Sequence, residues 1–296
     1  MSDFLSTLIS GLSLGSIYAL VALGIVILFK SSEVMNFAHG SIAVLGAFAA
    51  GRASDILGFW GGVLVGLAVA GLFALFVERV LVRAMKNAPI VSLAIMTIGL
   101  QVILDTELPR QIGSDIIQLH QPWGLDSVDI GGTLVPWNRI FTILVTLVII
   151  VAFLLAFRFS SWGVSMRAAA EDREASELVG IKLSRITMVS WVLAGVLAGV
   201  AGIMLSGAPS AGLTPTMAVI ALRAFPAAII GGLDSVTGAL VGGLLIGVLE
   251  ALTITYQSEL SFLGRGLGDV VSYLLMFIVL LVRPQGLFGR KEVVRA

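Results

Sequence analysis

FLSTLISGLSLGSIYALVALGIVILF, residues 4–29, runs from Phe4 to Phe29 without a charged side chain. About 20 apolar residues in a helix cross the hydrocarbon of a bilayer, so this stretch is long enough to span. It also outruns the core of a signal peptide, no basic segment precedes it, and no convincing small-x-small cleavage site follows. It reads as a retained first crossing. Further uncharged runs follow at 34–51, 56–77, 88–104, 140–157, 186–222, 224–249 (interrupted by Asp234) and 270–282. The adjoining pair over 186–249 holds Pro209, Pro215, Pro226 and the turn Gly231-Gly232-Leu233-Asp234-Ser235, which predicts three crossings or a re-entrant element. The expectation is an all-α polytopic membrane protein forming one domain over 1–296. It should have about eight or nine transmembrane helices and a broken or re-entrant element around 209–235.

Composition agrees. Of 296 residues, 58% are apolar and 12% charged, where soluble domains carry about 25% charge. Eighteen Lys and Arg balance eighteen Asp and Glu, so no basic surface is left over for phosphates and nucleic-acid binding is set aside. The chain has no cysteine, which removes disulfides, thiolate chemistry and Cys-based metal sites. Glycine is abundant, with 34 residues, and much of it recurs at four-residue spacing: Gly11 and Gly15, Gly62 and Gly66, Gly195 and Gly199, Gly238 and Gly242, Gly243 and Gly247. Such faces let helix backbones approach closely in lipid, within one chain or between subunits. Residues 34–46 and 222–232 share an apolar-turn-glycine cadence that does not by itself establish a repeat.

Basic residues near span ends stay on the cytoplasmic side. Twelve of the eighteen fall in 78–87, 158–185 and the tail from 283, which places these segments inside. Residues 105–139 carry five acids against Arg110 and Arg139 and read as an extracytoplasmic structured loop or short interfacial helix.

No Gly-x-x-x-x-Gly-Lys-Ser/Thr stretch is present, so the chain does not bind ATP through a P-loop. His39 and His120 are the two histidines, and neither a His-Glu-x-x-His nor a Gly-x-Ser-x-Gly motif occurs, so metalloprotease and serine-hydrolase chemistry have no support. The segment 158–185 is too long for a simple connection. Its spacing predicts a helix over 164–180, with Arg167 four residues before Glu171, Arg173 four before Glu177, and Gly180 at the stop. A half-apolar, half-charged helix of this kind suits a groove on another protein or a solvated connector. Inside the spans, Asn36 and His39 are three apart and share a face if that segment is helical; polar groups there face a pathway or hydrogen-bond a neighbouring helix. Arg223 snorkels to an interface or faces a cavity. Asp234-Ser235 reads as a turn with an N-cap.

Distributed motifs then point to a family. They are Gly11-Leu12-Ser13-Leu14-Gly15-Ser16-Ile17-Tyr18-Ala19-Leu20, Met35-Asn36-Phe37-Ala38-His39-Gly40, Arg167-Ala168-Ala169-Ala170-Glu171-Asp172, Leu178-Val179-Gly180-Ile181, Ala224-Phe225 with Gly231-Gly232, and Arg283-Pro284-Gln285-Gly286-Leu287-Phe288-Gly289. In this order the chain resembles the permease subunits of branched-chain amino acid ABC importers. Glu174-Ala175-Ser176 with Gly180 is similar to the permease consensus Glu-Ala-Ala-x-x-x-Gly. The resemblance implies a bacterial inner-membrane, multi-pass subunit that is not an enzyme and binds no cofactor itself. It also implies a second, related permease, two ATPase subunits carrying ATP and Mg, and an extracytoplasmic solute-binding protein. Arg167, Glu171, Asp172, Glu174, Ala175 and Gly180 would couple to the ATPase; Asn36, His39, Ser41 and Arg223 would line the path. Ser41 replaces an acid that several relatives carry after the His-Gly pair, and the loop 79–87 lacks their Arg-Pro-Leu-Arg. No residue singles out the solute, since this permease branch serves branched-chain amino acids, urea, short amides and other amino acids. The alternative is a self-sufficient secondary transporter or channel with His39, Asp234 and Glu250 in an ion pathway.

Overall fold

The computed structural model describes residues 2–85, 88–113, 117, 119, 121–122, 126–207, 212–213, 217–259 and 266–289. Within these, α1 (Ser2–Ser32), α2 (His39–Phe76), α3 (Ile90–Ile112) and α4 (Trp137–Phe159) come first. The short pair α5 (Ser161–Glu171) and α6 (Arg173–Leu178) precedes α7 (Leu183–Gly207). Then come α8 (Met217–Leu222), α9 (Ala224–Gly231), α10 (Val236–Thr255) and α11 (Leu267–Val282). The polytopic all-α reading holds: six of the described helices are long and apolar enough to cross a membrane. The expected count of eight or nine is approximate, because α2 is bent into two limbs, α8 and α9 are short, and α11 has 16 residues.

In α2 the bend is at Gly58, whose φ of 70° and ψ of 176° lie in a region open essentially to glycine alone. The chain reverses there. Gly62 sits against Ala50 and Ser54, and Gly66 against Gly46 and Ala50, so the limbs 39–57 and 59–76 lie antiparallel. The second limb continues into a wider π turn, Val77–Val82. A matching hairpin joins α9 to α10 through Gly232 (φ 100°), with Gly238 and Gly242 against Gly231 and Ala227. Ser235 caps α10 by accepting from the Gly238 N–H at 3.1 Å, as the sequence indicates.

One path is thus walked twice in opposite senses. A Cβ at Gly11 or Gly15 would come within 2.8 Å of the α10 backbone, so α1 packs against α10. The equivalent glycines of α7, Gly195 and Gly199, pack on Ala70 in the second limb of α2. The repeated Gly-x-x-x-Gly faces all meet elements of this same chain, which selects intramolecular packing for them. Without a hydrophobic drive between helices in lipid, close van der Waals contact does this work. α1 and α7 run antiparallel through the centre, Gly24 beside Ala194 at one level and Ser31 beside Thr187 at another. On the outside, α3, α4 and α11 present Val91, Ile103, Val148, Leu155, Phe277 and Leu281 outward.

The segment expected over 105–139 is shorter, and of its two expected forms the structured loop is found. Residues 105–112 continue α3, and 137–139 begin α4. Between them, the described residues form not an interfacial helix but a hairpin, Ser127–Ile130 paired antiparallel with Thr133–Pro136 in the register Ile130 to Thr133. The Gly131-Gly132 corner, both with positive φ, supplies the turn that a helix would not tolerate. His120, Pro209 and Pro215 lie outside the described residues. The closing motif is a cap: the N–H groups of Leu287 and Phe288 reach the Ile230 and Gly231 carbonyls at 2.7 and 3.1 Å, satisfying acceptors left open at the end of α9.

Candidate functional site

Two places combine polar chemistry with irregular backbone: the elbow α5–α6, and a pair of helix breaks in the bundle. The helix expected over 164–180 is parted at Asp172 (φ −153°, ψ 110°). Its carboxylate accepts from the Ala175 N–H at 2.9 Å, so it starts α6 as an N-cap instead of continuing α5. α6 closes with the Gly180 N–H on the Glu177 carbonyl and the Ile181 N–H on the Ser176 carbonyl, at 2.9 and 3.0 Å. Gly180, at φ 87°, occupies the left-handed position that this closure requires. Met166, Ala169 and Ser176 are buried beneath the elbow. Its outer face exposes Glu171, Asp172, Glu174, Ala175 and Gly180, together with Leu178 and Val179, which are 88% and 78% exposed.

The arginines stitch rather than project. Arg167 donates to the Phe157 and Arg158 carbonyls and lies over the Phe157 ring, satisfying open acceptors at the end of α4. Arg173 turns to the end of α1 instead of to Glu177: it donates to the Ser31 carbonyl at 3.0 Å and pairs with Glu33 at 3.6 Å. That link was not visible in sequence, because it joins residues far apart in the chain.

Glu33 is the one non-glycine among the described residues with positive φ (57°), and it ends α1. The chain then runs unwound to His39, so Asn36 and His39 do not share a helical face. The Asn36 side chain accepts from the Ala38 N–H at 3.1 Å, a local turn that competes with helix. Thr97 of α3 receives the Phe37 N–H at 3.3 Å and donates to the Met35 carbonyl at 3.1 Å. His39 is buried beside Gly24, where a Cβ would come 2.5 Å from its Nε2. Neither His39 ring nitrogen nor Asn36 Nδ2 has a hydrogen-bond partner. Ser41 donates to Asp105 of α3 at 2.6 Å, so a carboxylate stands beside position 41 although none is in the motif itself.

The second break falls at Arg223. Pro226 has no N–H for the Leu222 carbonyl four residues earlier, and its ring opposes that carbonyl, so α8 ends there. The breaks meet: Phe37 and Phe225 stack with centroids 5.3 Å apart and planes 7° off parallel. Arg223 donates to Glu250 of α10 at 2.5 Å and to Asp269 of α11 at 2.7 Å, while Tyr18 of α1 donates to Glu250 at 2.8 Å. Arg223 therefore neither snorkels outward nor stands alone. Thr97 and Asp269 stand in none of the family motifs, and Tyr18 stands in one that gives it no role; a charge in the first turn of a span is the signal for Asp269, and local spacing offers none for the hydroxyls. Among the described residues, no three His, Asp or Glu side chains gather as a metal-ligand set.

The family model for the branched-chain amino acid transport system permease component matches residues 7–280. The chain belongs to that family. It is 30% identical to the high-affinity branched-chain amino acid transport system permease protein LivH of Escherichia coli K12, over 98% of this chain and 97% of the relative. It is 31% identical to BraD of Pseudomonas aeruginosa, with the same coverage. The probable branched-chain amino acid transport permease protein LivH of Methanocaldococcus jannaschii is 30% identical over 93% of this chain and 89% of that one. The chain is a multi-pass membrane permease subunit of an ABC importer, not an enzyme, and it works with ABC transporter partners.

Proposed function

We propose that this subunit forms half of a translocation path for branched-chain amino acids or closely related small polar solutes in the bacterial cell membrane. Its partners would be a second, related permease, two ATPases carrying ATP and Mg, and an extracytoplasmic solute-binding protein. The elbow end faces the cytoplasm and the hairpin end faces outward, in line with the distribution of Lys and Arg. Glu171, Asp172, Glu174, Ala175 and Gly180 lie on the ATPase-docking face, and Arg167 holds that face to α4.

One observation carries the reading: the exposed elbow is tied by Arg173 to Ser31 and Glu33, the residues that open the first helix break. Movement of α6 by a closing ATPase dimer is thereby delivered to the segment leading to Asn36, Phe37 and His39. The same movement reaches Ser41 through the first limb of α2. Discontinuous helices facing each other are a recurring way to build a gated path in a membrane, and the paired Phe37 and Phe225 rings close it here.

The test is co-purification from mild detergent followed by reconstitution. The intact chain should retain a P-loop ATPase and a second permease, and the reconstituted complex should accumulate leucine on ATP addition. Glu174→Lys with Leu178→Glu, both on the exposed face, should reach the membrane but lose the ATPase. Undiminished ATP-driven uptake by that double variant would refute the docking assignment.

A further inference from the structure

We propose that Arg223, Glu250 and Asp269, with Tyr18, form an ion-exchange site through which a zwitterionic α-amino acid passes the outer half of this subunit. The inference rests on the permease reading above and adds the site and its chemistry.

The network is graded in accessibility. The Asp269 side chain is 66% exposed, Arg223 17% and Glu250 3%. One guanidinium is thus shared between an outer, accessible carboxylate and an inner, buried one. A planar fork of donors suits two carboxylates at once. It equally suits one from the protein and one from a solute. A zwitterion arriving from the hairpin end brings a carboxylate for Arg223 and an ammonium for Asp269, so one ion pair is replaced by two and no net charge is buried. This matters because an unpaired charge in a low-dielectric setting is heavily penalised. Glu250 keeps Arg223 in place during the exchange, held in turn by the Tyr18 hydroxyl at 2.8 Å.

The surroundings fit an apolar side chain. Phe225 follows Arg223 by two positions, is partly exposed, and stacks on Phe37. Arg223 stands at a break where α9 does not continue α8, so the guanidinium held by Glu250 marks the fixed side of the path while the Phe37 side moves. A purely structural ion pair explains the Glu250 arm but gives no role to the exposed Asp269 arm.

The experiment uses the complete transporter in proteoliposomes with its binding protein, following both [14C]leucine uptake and ATP hydrolysis stimulated by loaded binding protein. Asp269→Asn should raise the KM for uptake by about tenfold, the size of one charge-assisted hydrogen bond, with the ATPase and second permease still co-purifying. The exchanged pair Arg223→Glu with Glu250→Arg preserves the ion pair but reverses its polarity. It should recover stimulated hydrolysis relative to either single variant, yet leave uptake at least tenfold down. If the exchanged pair restores uptake as fully as hydrolysis, or Asp269→Asn leaves uptake unchanged, the network is a structural tie and the proposal fails. If the exchanged pair does not assemble, Asp269→Asn decides alone. Absence of leucine uptake by the unsubstituted complex would instead count against the permease's substrate reading.

Discussion

The two helix breaks meet ring to ring at Phe37 and Phe225, yet they are held by different chemistry. The first, between Glu33 and His39, rests on a hydroxyl from Thr97, the side-chain turn of Asn36 and one solvent-exposed pair, Arg173 with Glu33. The second, at Arg223, is fastened by a buried charge pair to Glu250 of α10. Hydrogen bonds between transmembrane helices contribute only about 0.6 kcal/mol on average, whereas stripping one partner from a buried ion pair costs about 3–5 kcal/mol. The first break is therefore the compliant one and the second the fixed post. That asymmetry matches their neighbours, because the compliant break is the one wired to the α6 elbow through Arg173.

The sharpest way to break this comparison is Glu250→Leu. It should lower stability in detergent by about 3 kcal/mol, since Arg223 then keeps only its exposed partner. A thermal unfolding curve overlapping that of the unsubstituted chain would show that the second break is not held by charge. Gly24→Ala comes next, at about 1–3 kcal/mol, because its methyl group meets the buried His39 ring. Combining it with His39→Ala should recover part of that loss. Strict additivity in the double-mutant cycle would remove the contact from the account.

Thr97→Ala sharpens the comparison from the other side. It should cost only about 0.6 kcal/mol while loosening residues 35–37, detectable as faster amide exchange at Phe37. A loss as large as that of Glu250→Leu would erase the distinction between the breaks. The smallest stability effect is expected from Arg173→Ala. Its pairing with Glu33 is between side chains 40% and 54% exposed, and such pairs contribute about 0–1 kcal/mol. Melting should barely move, but leucine accumulated per ATP hydrolysed should fall. An unchanged transport-to-hydrolysis ratio would mean the elbow acts on the bundle by another route.

Much of this was readable in the residues. The polytopic helical class, the glycine faces, the elbow's exposed acids and the Ser235 cap all rest on local composition and spacing, which a single segment carries by itself. The helix expected over 164–180 is not continuous, because the short Asp172 side chain reaches the Ala175 N–H and stops α5. A face shared by Asn36 and His39 required helical backbone, and the Asn36 side-chain turn stands in its place.

Composition and spacing settle which segments enter the membrane, because the cost of burying charge and the 3.6-residue period act within one segment. The tertiary structure alone decided which polar residues meet. Tyr18 joins Glu250, and Arg173 joins Glu33, because close packing of helices from distant parts of the chain fixes the partners, while Arg223 reaches Glu250 and Asp269 across neighbouring helices of its own half. No local rule encodes a contact between residues two hundred positions apart; it arises only when glycine-lined helices settle against each other.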